Sequence, residues 1–395
     1  MAKCLAAFLK YSMCFVRSLA SHQTVASRIV VAIVLSLLAP VSAHTQATNP
    51  PNQLGTLSPS DVVLASCPPG GVTGTCYNVL VPSYPASGSC DEVVQPPDKK
   101  TPYTAMIKIS SARGVPRGTI FFVSGGGGNV FYDTDLRYGI NMVSQLLANG
   151  YNTIQFAFYT AAGWQQAAMP APADGPRALA CTYGTIIKWA VQNNKTSGAL
   201  CATGHSSGSS VLAYALSIYG LGTPNNKFQN VPLFAMAEPT SGPPHARLDI
   251  GCADQDPVLM GPTACGTQAQ ESYQTDAKGL IDPSYSRPYC SDCQNNPRCT
   301  ADSEYQKSKD PFFTTDSVLS GDEVLDFPQT DLHMVYGTLD DSAASPLGYQ
   351  WAQQVSGSRG APGIACVPDA GHRVADVIDG AQRIAGDLVT YCVGQ

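Results

Sequence analysis

Ala199-Leu-Cys-Ala-Thr-Gly204-His205-Ser206-Ser207-Gly208-Ser-Ser-Val-Leu-Ala-Tyr-Ala-Leu216 is the stretch whose reading decides the fold. Its first five residues are small or apolar and read as a buried strand. The residues after Gly208 read as a helix packed on a core. Between them, Gly204-x-Ser206-x-Gly208 places one hydroxyl between two glycines at a strand-to-helix turn. Residues without Cβ let strand and helix approach closely, which lifts the hydroxyl into the open. The helix start beside it offers backbone N–H groups and a favourable dipole to developing negative charge. Without that context, a Ser/Gly-rich connecting loop would be the default reading.

The same alternation extends in both directions. Upstream, Thr119–Val123 reads as a strand that runs into Ser124-Gly-Gly-Gly-Gly128. A helix over Asp135–Ala148 is predicted from Ile140, Met142, Val143, Leu146 and Leu147, and Gly150 stops it. Thr153–Tyr159 reads as a strand and Arg177–Gln192 as a helix. Downstream, strands are expected at Val231–Ala237, Leu332–Tyr336 and Ile364–Val367, with helices at Leu347–Val355 and Val374–Tyr391. Short apolar strands alternating with amphipathic helices imply an α/β fold. Its central sheet is mostly parallel and carries helices on both faces.

One long interruption, about residues 238–331, is rich in Pro, Gly and Asp and holds five cysteines, from Cys252 to Cys299. A segment of that length without periodicity inside a domain reads as a Cys-rich cap insertion. Residues 77–116 read as irregular edge strands. Residues 44–60, rich in Thr, Asn and Pro, read as a loose arm ahead of a catalytic domain over 61–395.

The first 43 residues are of another kind. Lys3, Lys10, Arg17 and Arg28 precede the apolar run Ile29–Leu38, and Val41-Ser42-Ala43 follows as a small-x-small site. This is the layout of a secretory signal peptide, so the mature chain is expected outside the cytoplasm, cut near Ala43. The run is too short for a membrane span, which needs about 20 apolar residues. The whole chain carries 23 basic and 29 acidic residues; without the leader's four basic residues the net charge falls from −6 to −10. An acidic chain with no basic cluster is a poor nucleic-acid binder.

Fourteen cysteines are present, two of them in the leader. Twelve in an exported chain are expected to pair. Cys67–Cys76 would close a Pro/Gly turn, Cys290–Cys299 would staple the cap, and Cys366–Cys392 would bracket the last strand and helix. Cys290, Cys293 and Cys299 are read as bridge-formers rather than zinc ligands, since no histidine lies nearby.

In motif and element order, residues 100–392 resemble the α/β-hydrolase superfamily, in particular its serine esterases and lipases. The resemblance implies an α/β-hydrolase fold with Ser206 as nucleophile, followed along the chain by an acid and then a histidine. His372, in Asp369-Ala-Gly-His372 after the last strand, then becomes the base. Asp340, in Gly337-Thr-Leu-Asp340, is the first choice of acid, with Asp341 and Glu238 as rivals. His205 and His333 read as structural, and His245 as a residue at the cap entrance.

The oxyanion donors expected from the resemblance are the backbone N–H groups of Ser207 and Gly126, with Gly127 as alternate. Ser124 stands where similar esterases carry a histidine. The glycine run is not followed by Lys-Ser/Thr and lacks G-x-G-x-x-G spacing, which argues against a phosphate loop. The implied activity is hydrolysis of carboxylic esters, small or polymeric, with no cofactor or metal. A secreted serine peptidase and a catalytically silent binding protein on the same fold are the alternatives.

Overall fold

The structure is a computed structural model, and it describes residues 54–81, 105–126, 128–158, 176–223, 231–252, 263–266, 314, 316–360 and 362–394. Nine strands form one sheet: β1 Val62–Ala65, β2 Thr75–Val79, β3 Ala105–Ser110, β4 Gly118–Val123, β5 Tyr151–Phe158, β6 Ala199–His205, β7 Phe234–Thr240, β8 Asp331–Gly337 and β9 Gly363–Val367. Their spatial order is β1-β2-β3-β5-β4-β6-β7-β8-β9. The pairs from β5–β4 through to β8–β9 are parallel. The pairs among β1, β2, β3 and β5 are antiparallel.

Alternation along the central strands explains the layers. On β4, Phe121 and Val123 face one core with Phe156, Leu200 and Ala202. Ile120 and Phe122 face the other with Cys201, Met236 and Val335. The first core is closed by α3 Pro176–Gln192, α4 Ser207–Ser217 and α6 Ala344–Gln354, through Ile186, Leu212 and Trp351 among others. The second is closed by α2 Gly139–Ala148 and α7 Ile378–Tyr391, through Met142, Leu146, Ile384 and Leu388. The short helices α1 Tyr132–Asp135 and α5 Leu248–Cys252 complete the described set of α-helices.

The winding positions the site. From β4 the chain steps outward to β5, then returns across β4 to β6. In open α/β sheets such a reversal leaves a crevice at the carboxyl ends of the strands flanking it. Here those ends carry Ser124–Gly128 after β4 and Ser206 after β6.

Several expectations are refined. The helix expected over 135–148 is two pieces, because Leu136 is extended (φ −97°, ψ 143°). The last helix begins as a 3-10 turn, Val374–Asp376, and restarts at Ile378 after an extended Val377. The expected arm is not loose at its end. Leu54 is buried against Gly184 on α3, and the Gly55 N–H donates to Thr185 Oγ1 at 3.0 Å.

Three complete bridges lie among the described residues. Cys67–Cys76 is paired as expected. Cys366–Cys392 is not a pair: Cys392 bonds Cys201 and Cys366 bonds Cys265. The physical reason is the direction of the side chains. Cys201 points from β6 toward α7 and meets Cys392 in the buried second core. Cys366 is exposed on β9 and meets the insertion. The Cys290–Cys299 expectation lies outside the described residues. Among the described residues, no group of three or more His, Cys, Asp or Glu is placed to hold a metal ion. Nor is any helix there long and apolar enough to cross a membrane.

Candidate active site

Ser206 sits at the turn between β6 and α4 with φ 52° and ψ −119°, outside the regions that side chains ordinarily favour. Its N–H is held by the Thr240 carbonyl at 2.9 Å, and its carbonyl accepts the Ser209 N–H at 2.8 Å. The two glycines of the motif are required by contact. A Cβ on Gly204 would strike the Gly208 carbonyl, and one on Gly208 would lie 2.7 Å from the Ser124 carbonyl. The motif therefore closes strand, helix and glycine loop onto one another.

His372 comes to this turn from the loop after β9. Its Nε2 is 2.7 Å from Ser206 Oγ. Its Nδ1 is 3.1 and 3.3 Å from the two carboxylate oxygens of Asp340. The Asp340 side chain is fully buried, while that of His372 is 25% exposed, so the imidazole is reachable from solvent and the carboxylate is not. The Ser342 N–H donates to Asp340 Oδ1 at 3.0 Å and fixes its rotamer.

The loops carrying acid and imidazole are sewn together. The Leu339 N–H donates to the Ala370 carbonyl at 2.8 Å, and the Asp369 N–H to Thr338 Oγ1 at 3.0 Å. Gly337 allows this, since a Cβ there would overlap the Ala370 and Gly371 carbonyls.

The rival carboxylates lie elsewhere. Asp341 is exposed. Glu238 is wholly buried, and neither of its carboxylate oxygens has a hydrogen-bond partner among the described residues. Burial first, then the charge of Asp387, pushes its carboxyl well above the usual carboxylate range, so it is held protonated. Of the other histidines, His245 is buried, with Nδ1 2.9 Å from Ser210 Oγ, rather than open at a cap entrance. His333 packs on the Tyr391 ring at 4.2 Å. His205 is buried directly beside Ser206. Burial, with the neighbouring His372 and Arg373, holds its imidazole well below the usual histidine range.

Opposite Ser206 stands the glycine loop. Ser124 is buried and its Oγ donates to the Val130 carbonyl at 2.9 Å, closing the loop. The Gly128 N–H donates to the Gly125 carbonyl at 2.9 Å. Gly126 adopts φ +53°, and its side-chain position opens onto free space. Gly125 packs closely against the turn: a Cβ there would lie 2.9 Å from Ser206 Cβ and 2.6 Å from His205 Cδ2. Gly127 lies outside the described residues. Ser207 is the first residue of α4, so its N–H belongs to the helix's first turn.

Sequence reasoning missed Ser124 as the loop's clasp and Gly125 as its point of contact. The run of four glycines was the only available signal. Chemically, a hydroxyl, an imidazole and a buried carboxylate in this line can pass a proton away from Ser206 while the carboxylate balances the imidazolium. Backbone N–H groups at a helix start and a glycine turn can receive an oxyanion.

No family model and no curated protein matches the chain. Among solved structures it is similar to a carboxyl esterase from Bacillus coagulans, at 14% identity and TM-score 0.40, covering 73% of this chain and 93% of that one. It is similar to a Pyrococcus furiosus esterase at 13% identity and TM-score 0.42, covering 88% and 98%. It is also similar to a dienelactone hydrolase from Anabaena variabilis at 11% identity and TM-score 0.39, covering 73% and 90%. Its own mostly parallel sheet, helices on both faces and serine at a strained strand-to-helix turn give the chain an α/β fold of the expected architecture.

Proposed function

We propose that the chain is an exported serine hydrolase that cleaves carboxylic esters through an acyl-enzyme. The observation that carries this reading is the continuous line Ser206 Oγ, His372, Asp340, with its 2.7 and 3.1 Å contacts. Export rests on the leader over residues 1–43. In the first half-reaction His372 Nε2 takes the Ser206 proton as Oγ bonds to the ester carbonyl carbon. The carbonyl oxygen becomes an oxyanion, received by the N–H groups of Ser207 and Gly126. Collapse of this intermediate breaks the carbon–oxygen bond to the alcohol, which leaves with the proton from His372. Water then repeats the sequence on the acyl-enzyme, with His372 as base and Ser206 as leaving group. The scheme calls for no metal or cofactor and takes a small or polymeric ester as substrate, while the acidic chain is poorly suited to nucleic acid.

The test is a fluorophosphonate probe combined with p-nitrophenyl esters of rising chain length and a matched set of peptide anilides. The expected result is labelling at Ser206 and ester turnover. Ser206→Ala should abolish labelling and lower turnover by about 10⁴ to 10⁶. An unreactive protein would indicate a silent binder, and preferential anilide cleavage a peptidase. Ser206→Ala retaining more than a few per cent of turnover would overturn the assignment of the nucleophile.

A further inference from the structure

His205 is the residue before Ser206, and nothing in the proton relay uses it. Its ring lies 5.2 Å, centroid to centroid, from that of His372, at an interplanar angle of 51°. The same ring occupies the space beside Gly125, so it touches the glycine loop as well. It is only 3% exposed. The imidazole of His372, by contrast, reaches the site on a loop and is partly open to solvent. Two contacts orient that ring in its own plane, Asp340 at one nitrogen and Ser206 at the other. Both act through its nitrogens and leave the faces of the ring to packing.

Resting on the proposed function, we infer that His205 is a positioning residue: its ring is the wall against which His372 is held in line with Ser206, and the same wall seats the glycine loop. A tilted aromatic contact at this separation is a favourable packing geometry. A displacement of about 1 Å between reacting groups lowers turnover by up to about a hundredfold. The wall works only if it is uncharged, since a second cation there would oppose formation of the His372 imidazolium. Burial supplies that condition, because charging a ring sealed from water is costly.

The test uses the full chain with three substitutions. His205→Phe keeps a flat ring, His205→Ala removes it, and Ser206→Ala serves as reference. Kinetics on a p-nitrophenyl ester are paired with thermal melting. His205→Ala is expected to lower kcat about 10- to 100-fold with KM changed less than about threefold. His205→Phe is expected to restore kcat to within about fivefold of the parent. A merely structural role would move melting temperature and leave kcat alone. Full activity in His205→Ala overturns the inference, as does a His205→Phe variant as slow as His205→Ala. If His205→Ala does not fold, His205→Asn takes its place, with the same expected loss and the same refutation. Failure of the proposed function looks different: the parent itself would be inactive, or Ser206→Ala would match it.

Discussion

Replacing Cys201 and Cys392 together by alanine removes the bridge between β6 and the end of α7, and the loss can be worked from the chain path. The two residues are 191 apart in sequence. Closing a loop of that length restricts the unfolded chain by about 5.3 kcal/mol at 25 °C. The Cys265–Cys366 bridge lies inside this loop and shortens it. Through the bridges among the described residues, the closed path becomes about 64 residues from 201 to 265 and about 26 from 366 to 392. For about 90 residues the same relation gives about 4.6 kcal/mol. Cys67–Cys76 encloses only 9 residues, worth about 2.6 kcal/mol. Urea unfolding of the unreduced protein should therefore show a loss of about 4 to 5 kcal/mol for Cys201→Ala with Cys392→Ala. The loss for Cys67→Ala with Cys76→Ala should be about 2 to 3. The m value should rise in the larger-loop variant, because its unfolded chain exposes more surface. Equal losses for the two variants, or a loss below about 1 kcal/mol in the first, would refute the chain-path reasoning. Free thiol at Cys201 or Cys392 in the parent would refute the pairing itself.

Asp340→Asn should fold normally and lower kcat by about 10³ to 10⁴, because an amide no longer fixes the His372 tautomer; if Asp341→Asn is the crippling change instead, the acid is misassigned. Glu238 is protonated when folded and ionises once unfolded, so above about pH 4.5 the unfolded chain binds fewer protons and stability declines as pH rises. Glu238→Gln removes that linkage. Its stability relative to the parent should climb by up to about 1.4 kcal/mol per pH unit above that point, and parallel stability curves for the two proteins would contradict a neutral Glu238.

The central layers were legible because the signals were local. Phe121 and Phe122 on β4 could face opposite cores only in a strand buried on both sides, and Gly204 and Gly208 flank a turn of fixed length. The choice of Asp340 over Asp341 came from the resemblance, in which the acid follows a strand and Gly-x-x. What separates them physically is that one side chain turns inward to the Ser342 N–H while the other faces solvent. The cysteine pairing was not legible. Cys366 and Cys392 are neighbours along the chain, but β9 is the sheet edge, and the end of α7 reaches β6 through Cys392, which is non-local information. The break at Leu136 escaped notice because a two-piece helix keeps the same apolar spacing. The packing of Leu54 was hidden by its polar surroundings in sequence.

The sheet assigns different duties to its two ends. Ser206, Asp340 and His372 leave the carboxyl ends of β6, β8 and β9. At the opposite rim, Arg359 pairs with Asp331 at the start of β8, Tyr151 donates to the Cys392 carbonyl at 2.9 Å, and α7 terminates in its bridge. Reactivity depends on tenths of an ångström at one rim, while the Cys201–Cys392 bridge ties down the other, a few residues back along β6 from Ser206. Stabilising or weakening that far rim changes how long the fold survives heat without moving the serine, so durability and turnover in this scaffold can be tuned separately.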